Sequence, residues 1–234
     1  MPITAVFLDL GNTLLTERNG RAAVYSQEGR RAGLDVEQQA MATRMARAFQ
    51  EMPLEVEGAY RYSDAWFRAF QRRIFVDELG LRPAAFERLS EQLFARFEEA
   101  ATFTLYPGAA ELLAALRARG LRIGLVSNWS ERLPRLLTAL GLSTAFDFVL
   151  SSAQVRMEKP DPGIFHAAAR LADAPGSSCL HAGDRVDLDA RGALGAGLQA
   201  VLVDHARQWG QAAAPCPVVT SLPDLQDLIL ARAA

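Results

Sequence analysis

The sequence has 234 residues, which permits one large domain or one domain with an insert. Half of the residues are hydrophobic and the formal net charge is only −2, so we expect a substantial core. Basic and acidic residues are nearly balanced, which argues against a nucleic acid partner. No apolar run approaches the roughly 20 residues that span a bilayer, which argues against a membrane partner.

The two cysteines, Cys179 and Cys216, have neither metal-ligand nor redox spacing, so we expect both to be reduced. The apolar N-terminal stretch carries Asp9 and lacks the basic region and cleavage site of a signal peptide, which predicts a cytoplasmic protein. A single lysine, Lys159, stands among 24 arginines. Arginine does not replace lysine where a compact charge fits a tight site, so Lys159 is a candidate functional residue.

The first predicted element is a buried strand, Val6 to Leu8, that ends at Asp9. A carboxylate at the end of such a strand needs a cation or a set of donors, unless it is a turn residue that accepts backbone hydrogen bonds. Four amphipathic helices are then predicted with no strand between them, over 21–32, 36–50, 63–79 and from 83 onward. Their aromatic residues are expected to pack as the core of a small bundle.

From Tyr106 onward, predicted helices alternate with predicted strands over 121–126, 146–150, 178–182, 199–203 and 218–219. The predicted helices between and after them cover 108–119, 130–140, 162–172 and 187–196, and a last one begins near 221. This alternation predicts the α/β class, with a doubly wound parallel sheet covered by helices on both faces. Residues 1–15 and 102–234 would form the core, and residues 16–101 an inserted helical domain.

Ligands of a doubly wound sheet bind at the carboxyl ends of its strands. Polar residues follow four predicted strands: Asp9; Ser127 and Asn128; Lys159; and Asp184 with Asp187 and Asp189. Each one alone is equally compatible with a turn, a helix cap or a solvated loop. Together, two acids with a loop carbonyl suit Mg²⁺, and a hydroxyl, an amide and an ammonium suit a phosphoryl group.

The order Asp9-x-x-x-Thr13, Ser127, Lys159-Pro160 and Gly183-Asp184 with Asp189 resembles the four motifs of the haloacid dehalogenase superfamily. Residues 61–67, 146–165 and 181–184 are similar to its rhythmically expressed gene 2-like branch. The resemblance implies a Rossmann-like core with a helical cap that closes the site and selects the leaving group. It also implies a hydrolase that acts on a small phosphorylated metabolite.

The resemblance further implies a role for each matched residue. Asp9 would be the nucleophile that forms an aspartyl-phosphate. Mg²⁺ would be held by Asp9, the Gly11 carbonyl and Asp184. The remaining roles would be phosphoryl binding by Ser127, the Asn128 amide and Lys159, bracing of the loop by Thr13, and orientation of water or Lys159 by Asp189.

Gly11 departs from the superfamily pattern, because phosphatases of the superfamily have an Asp there as general acid and base. Glycine carries no proton, so we expect a slow phosphatase that prefers good leaving groups. His181 is a candidate replacement acid, but it precedes Asp184 by three residues on a strand, which favours a core or supporting position.

Two other functions stay open. A metal-free 2-haloacid dehalogenase would also lack the second Asp, although Asp184 argues against it, and a phosphometabolite-binding protein would have lost catalysis altogether. The substrate is not readable, since the polar residues that would select it can equally form a solvated rim: Glu17, Arg18, Asn19, Tyr60, Arg61 and Tyr62. The chain is expected to be a monomer or a homodimer.

Overall fold

The computed structural model describes residues 1–209 and 213–233, so positions 210–212 and 234 of the predicted core range lie outside it. The strands are β1 (Ala5–Leu8), β2 (Leu15–Glu17), β3 (Glu55–Val56), β4 (Ala59–Tyr60), β5 (Phe103–Leu105), β6 (Arg122–Ser127), β7 (Phe148–Ser151), β8 (Cys179–Gly183), β9 (Gln199–Val203) and β10 (Val218–Val219). The α-helices are α1 (Arg21–Arg31), α2 (Gln38–Glu51), α3 (Asp64–Arg72), α4 (Pro83–Arg96), α5 (Ala109–Ala118), α6 (Leu133–Ala139), α7 (Ser152–Val155), α8 (Pro162–Leu171), α9 (Arg191–Gly195) and α10 (Leu222–Leu230). Two π-helical segments, Arg73–Glu78 and Val186–Ala190, extend α3 and precede α9.

Six strands form a parallel sheet in the order β10-β9-β8-β1-β6-β7, which confirms the predicted fold class. Every residue of the central strand β1 is fully buried, as expected for a parallel strand that is covered on both faces. The strand order reverses beside β1, with β6 and β7 on one side and β8, β9 and β10 on the other. This reversal is the point at which doubly wound sheets bind ligands, and Asp9 follows β1 there.

The chain divides into two compact units. One comprises Met1–Thr16, Leu105–Trp129 and Gly141–Ala234 and contains the six-stranded sheet. The other comprises Glu17–Thr104 and Ser130–Leu140, so it holds α1 to α4 together with α6. Residues Ser130–Leu140 thus belong to the helical unit although they lie within the range expected for the core.

The helical unit has an aromatic core, in which Trp66 and Phe70 stack with ring centroids 5.6 Å apart. The prediction that no strand separates its helices is wrong, because β3 and β4 form an antiparallel hairpin between α2 and α3. Glu57 and Gly58 connect the two strands with φ angles of 49° and 79°, which a tight hairpin turn requires. Strands of two residues are too short to show a sequence alternation.

Several predicted boundaries shift in the structure. The helix predicted from residue 130 begins at Leu133, because the Ser130 hydroxyl instead accepts a hydrogen bond from Arg132 N at 3.2 Å. The short elements β2, β5 and α7 were not predicted. Within the described residues, none of the helices has the length and apolar character needed to cross a bilayer.

Candidate active site

Three parallel strands bring predicted site residues to one edge of the sheet. Asp9 directly follows β1, Ser127 is the last residue of β6, and Asp184 directly follows β8. These strands are neighbours in the order β8-β1-β6, so their carboxyl ends lie side by side. Ser127 is buried and pairs in register with Ser151 of β7, the strand that leads through α7 to Lys159.

Lys159 is buried and forms ion pairs with two carboxylates. Its Nζ lies 2.8 Å from Asp9 Oδ1 and 2.5 Å from Asp189 Oδ1. Burial alone would lower the pKa of this ammonium, but the charges of Asp189 and Asp9 outweigh burial and raise the pKa above its ordinary value. The one lysine of the chain is therefore protonated and lies against Asp9.

The carboxylate of Asp189 is held from three sides. Its Oδ1 accepts from Lys159 Nζ and from His181 Nε2 at 2.8 Å, and its Oδ2 accepts from Arg185 N at 3.0 Å. Burial favours the neutral acid, but the charge of Lys159 and the hydrogen bond from His181 keep the pKa of Asp189 well below its usual range. A Cβ on Gly183 would overlap this carboxyl group, so only glycine leaves room for it.

Asp184 completes a cluster of three carboxylates with Asp9 and Asp189. One oxygen from each of the three residues lies within 4.8 Å of the other two. Burial, followed by the charges of Asp9 and Asp189, raises the pKa of Asp184 to about 7. Three acids share one ammonium, and this excess of negative charge on oxygen donors fits a divalent cation such as Mg²⁺. The predicted contribution of the Gly11 carbonyl stays a prediction.

The side chain of Asn128 binds the backbone of Lys159. Its Oδ1 accepts from Lys159 N at 2.8 Å, and its Nδ2 donates to Lys159 O at 3.0 Å. The sequence does not predict this paired contact, and the contribution of the Asn128 backbone amide to phosphoryl binding stays a prediction. The two hydrogen bonds join the loop after β6 to the loop that carries Lys159, and so place the ammonium.

Thr13 lies in the loop that follows Asp9. Its hydroxyl is buried and has no hydrogen-bond partner within the described part of the chain, which fits a donor reserved for a ligand oxygen. The Thr13 carbonyl accepts from His205 Nε2 at 3.0 Å, and the His205 ring stacks on Tyr106 with centroids 3.7 Å apart. The sequence analysis missed both aromatic residues, although His205 follows β9 at the same edge of the sheet.

An indole ring, also missed by the sequence analysis, borders Gly11. A Cβ placed on Gly11 would lie 3.4 Å from Trp129 Cζ3. The Ser152 hydroxyl holds Trp129 in place, because it accepts from Trp129 N at 3.1 Å and donates to Trp129 O at 3.2 Å. Trp129 therefore lies beside the position at which Gly11 departs from the pattern that the sequence resembles.

The polar candidates of the helical unit have partners inside that unit. Arg18 donates to Phe103 O at 3.2 Å, and Glu17 pairs with Arg21. The Arg61 guanidinium lies 5.0 Å from the Phe49 ring centroid. Tyr60 is buried, and the Tyr62 ring contacts the rings of Phe49 and Phe67. The backbone carbonyl of Asn19 accepts a hydrogen bond from the Gln38 side chain. Their selection of a substrate stays a prediction.

Replacing Lys159 by Met is expected to lower the free energy of unfolding by about 3–5 kcal/mol, because it leaves two buried carboxylates without their cation. Since Lys159 lowers the pKa of Asp189 in the folded state, this stability is present above the ordinary carboxyl pKa of about 4 and is lost as the pH falls below it. Urea unfolding of both proteins in the presence of a chelator, at neutral and acidic pH, measures the difference.

Lys159→Arg is the matched control, since it keeps the charge but adds a planar fork to a side chain that is 2% exposed. We expect a smaller loss of about 1–3 kcal/mol from overpacking. A Lys159→Met protein that is as stable as the wild type at neutral pH would contradict the ion-pair interpretation.

Comparison with known proteins identifies the family. A family model described as haloacid dehalogenase-like hydrolase matches residues 3–197. Bovine haloacid dehalogenase-like hydrolase domain-containing protein 3 is 34% identical over 200 residues, covering 83% of this chain and 79% of that protein. A phosphoserine phosphatase of Thermus thermophilus is 34% identical over 220 residues, covering 86% and 88%.

The finer resemblance also has a counterpart. The rhythmically expressed gene 2 protein of Drosophila melanogaster is 26% identical over 212 residues, covering 85% of this chain and 82% of that protein. The solved L-2-haloacid dehalogenase of Xanthobacter autotrophicus has a TM-score of 0.74 and 22% identity, covering 99% of this chain and 100% of that one, and so shares the fold. This chain belongs to the haloacid dehalogenase-like hydrolases, as its motifs predicted.

Proposed function

We propose that this chain is a Mg²⁺-dependent phosphomonoesterase that acts on a small phosphorylated metabolite. The observation that carries the proposal is the contact of the buried Lys159 ammonium with Asp9, beside a carboxylate cluster that fits a divalent cation. A relative of similar length is named a phosphoserine phosphatase, which agrees with phosphate-ester hydrolysis.

In the proposed mechanism, a carboxylate oxygen of Asp9 attacks phosphorus while the ester bond to the leaving group breaks, which gives an aspartyl-phosphate. Lys159 neutralises negative charge on the phosphoryl oxygens, which also contact the Ser127 hydroxyl, the backbone amide of Asn128 and the Thr13 hydroxyl. Water then cleaves the phosphoaspartate and restores Asp9. Asp189 takes no part in bond making and holds Lys159 in position.

Mg²⁺ would be held by Asp9, Asp184 and the Gly11 carbonyl, and when bound it supplies positive charge that favours attack on the phosphoryl group. Because Gly11 offers no proton, the leaving group departs as an anion or takes a proton from water or from a residue of the cap. Both steps are therefore slow, and esters with good leaving groups react best.

We also propose that residues 16–101 act as a cap that selects the leaving group. The candidates for this selection lie before α1 and at the end of β4: Glu17, Arg18, Asn19, Tyr60, Arg61 and Tyr62. The compartment is proposed to be the cytoplasm, and the chain a monomer or a homodimer.

Removal of the metal tests the proposal. We expect wild-type protein to hydrolyse p-nitrophenyl phosphate with Mg²⁺, to lose roughly 10²–10³-fold of this rate in a chelator, and to regain it when excess Mg²⁺ is added. Circular dichroism in both buffers controls for unfolding. Equal rates with and without Mg²⁺ would exclude a metal-dependent reaction.

The absence of an acid at Gly11 also allows the two alternatives. A dehalogenase would turn over 2-haloacids in the chelator and leave aryl phosphate untouched. A binding protein would take up phosphate analogues and turn over neither substrate. Either result would replace the phosphatase proposal.

A further inference from the structure

His181 and Gly183 lie on the same face of β8, because side chains two residues apart in a strand point to the same side. The missing side chain of Gly183 leaves the space that the Asp189 carboxyl group occupies. His181 contacts that carboxyl group from the next pleat of the strand. The pattern His-x-Gly at the end of β8 thus provides both the space and a hydrogen-bond partner for the Asp189 carboxyl group.

The surroundings of the two ring nitrogens of His181 indicate which of them carries hydrogen. Nε2 lies 2.8 Å from Asp189 Oδ1, which as a carboxylate can only accept, so Nε2 carries a hydrogen. Nδ1 is buried and has no partner among residues 1–209 and 213–233, and a proton there would be left without an acceptor. The contacts therefore assign a hydrogen to Nε2, and this N–H points at Asp189.

The ring itself is fixed by its surroundings. His181 is fully buried and meets Phe165 edge to face, with centroids 5.1 Å apart. In the sheet it is paired with Phe7 of β1 and Ala200 of β9. An immobile donor of this kind restricts Asp189 Oδ1, the same oxygen that accepts from Lys159 Nζ.

We infer that His181 is a positioning residue, whose Nε2–H fixes the Asp189 carboxylate and thereby holds the Lys159 ammonium against Asp9. The four side chains are connected in sequence: His181 contacts Asp189 at 2.8 Å, Asp189 contacts Lys159 at 2.5 Å, and Lys159 contacts Asp9 at 2.8 Å. These contacts are present whichever reaction the site performs, whereas the expected effect of His181 on kcat rests on the proposed function.

His181→Gln and His181→Met form a matched pair for the test, because both side chains are flexible and similar in length but only Gln keeps an N–H donor. Lys159 is the only lysine, so ¹⁵N-lysine labelling gives one side-chain ammonium signal in NMR spectra. We expect the slowly exchanging Nζ–H signal of the wild type to persist in His181→Gln and to be lost in His181→Met. The control His166→Met removes a histidine bound to the Ala196 carbonyl and should leave the signal unchanged.

Kinetics provide the second measurement. Loss of an orienting hydrogen bond behind a reactive group is expected to lower kcat for p-nitrophenyl phosphate roughly 10- to 100-fold in His181→Met, with KM little changed and with rescue in His181→Gln. Folded His181→Met protein with a wild-type ammonium signal and kcat would overturn the inference, as would equal losses in both variants. If the wild type turns over no phosphate ester, the proposed function fails, while the ammonium signals still decide the role of His181.

Discussion

Asp9→Asn is expected to abolish phosphate-ester turnover, with a loss on the order of 10⁴–10⁶-fold in kcat, the scale seen when an enzyme loses its nucleophile. The amide cannot attack phosphorus, and it removes one carboxylate from the acidic cluster. Lys159 keeps its ion pair with Asp189, so the variant should stay folded. Steady-state hydrolysis of p-nitrophenyl phosphate with Mg²⁺ measures the loss.

A pre-steady-state experiment makes the test specific for the covalent step. The wild type should release p-nitrophenol in a burst equal to the enzyme concentration, because Gly11 leaves the aspartyl-phosphate without a base to speed its hydrolysis. The burst should be absent in Asp9→Asn and intact in the control Asp187→Asn, which changes a side chain that is 69% exposed and paired with Arg191. An Asp9→Asn protein that still shows a burst would place the nucleophile elsewhere.

Much of the sheet could be predicted because long buried strands are apolar and are bounded by turn residues. The predicted strands 199–203 and 218–219 have the bounds of β9 and β10, and Asp9 and Asp184 lie at the strand ends expected for them. The hairpin of β3 and β4 could not be predicted, since two residues per strand leave no periodicity. The change from α-helical to π-helical geometry at Arg73–Glu78 also has no signal in the apolar spacing.

The candidate site was predictable as a set of residues but not as a set of contacts. Spacing along the chain places Asn128 at a strand end, and only the structure shows that its side chain binds the Lys159 backbone. Trp129 and His205 lie in irregular loops, where no hydrophobic pattern singles out one residue. The sequence predicts a core or supporting position for His181, but its contact with Asp189 depends on the space above Gly183, which only the structure shows.

Gly11→Asp is expected to raise turnover of esters with poor leaving groups, such as glycerol phosphate, by roughly 10²–10⁴-fold, the usual contribution of a general acid and base. The backbone of Gly11 does not have the positive φ that penalises other residues, and a Cβ there meets Trp129 Cζ3 at an ordinary contact distance of 3.4 Å. The gain should be smaller for p-nitrophenyl phosphate, whose leaving group departs without a proton. Comparison of kcat for the two substrates measures the effect.

Gly11→Asn is the matched control, because it has the same shape and no acid, and we expect it to gain nothing. The Trp129 indole lies where it can limit rotation of the new carboxylate, and Ser152 fixes Trp129 by binding both its backbone N–H and its backbone carbonyl. If the indole restricts the carboxylate, Gly11→Asp combined with Trp129→Ala should exceed Gly11→Asp alone, while Trp129→Ala alone should not raise the rate. Folded Gly11→Asp protein that matches Gly11→Asn on glycerol phosphate, with and without the indole, would show that the missing acid is not what limits this enzyme.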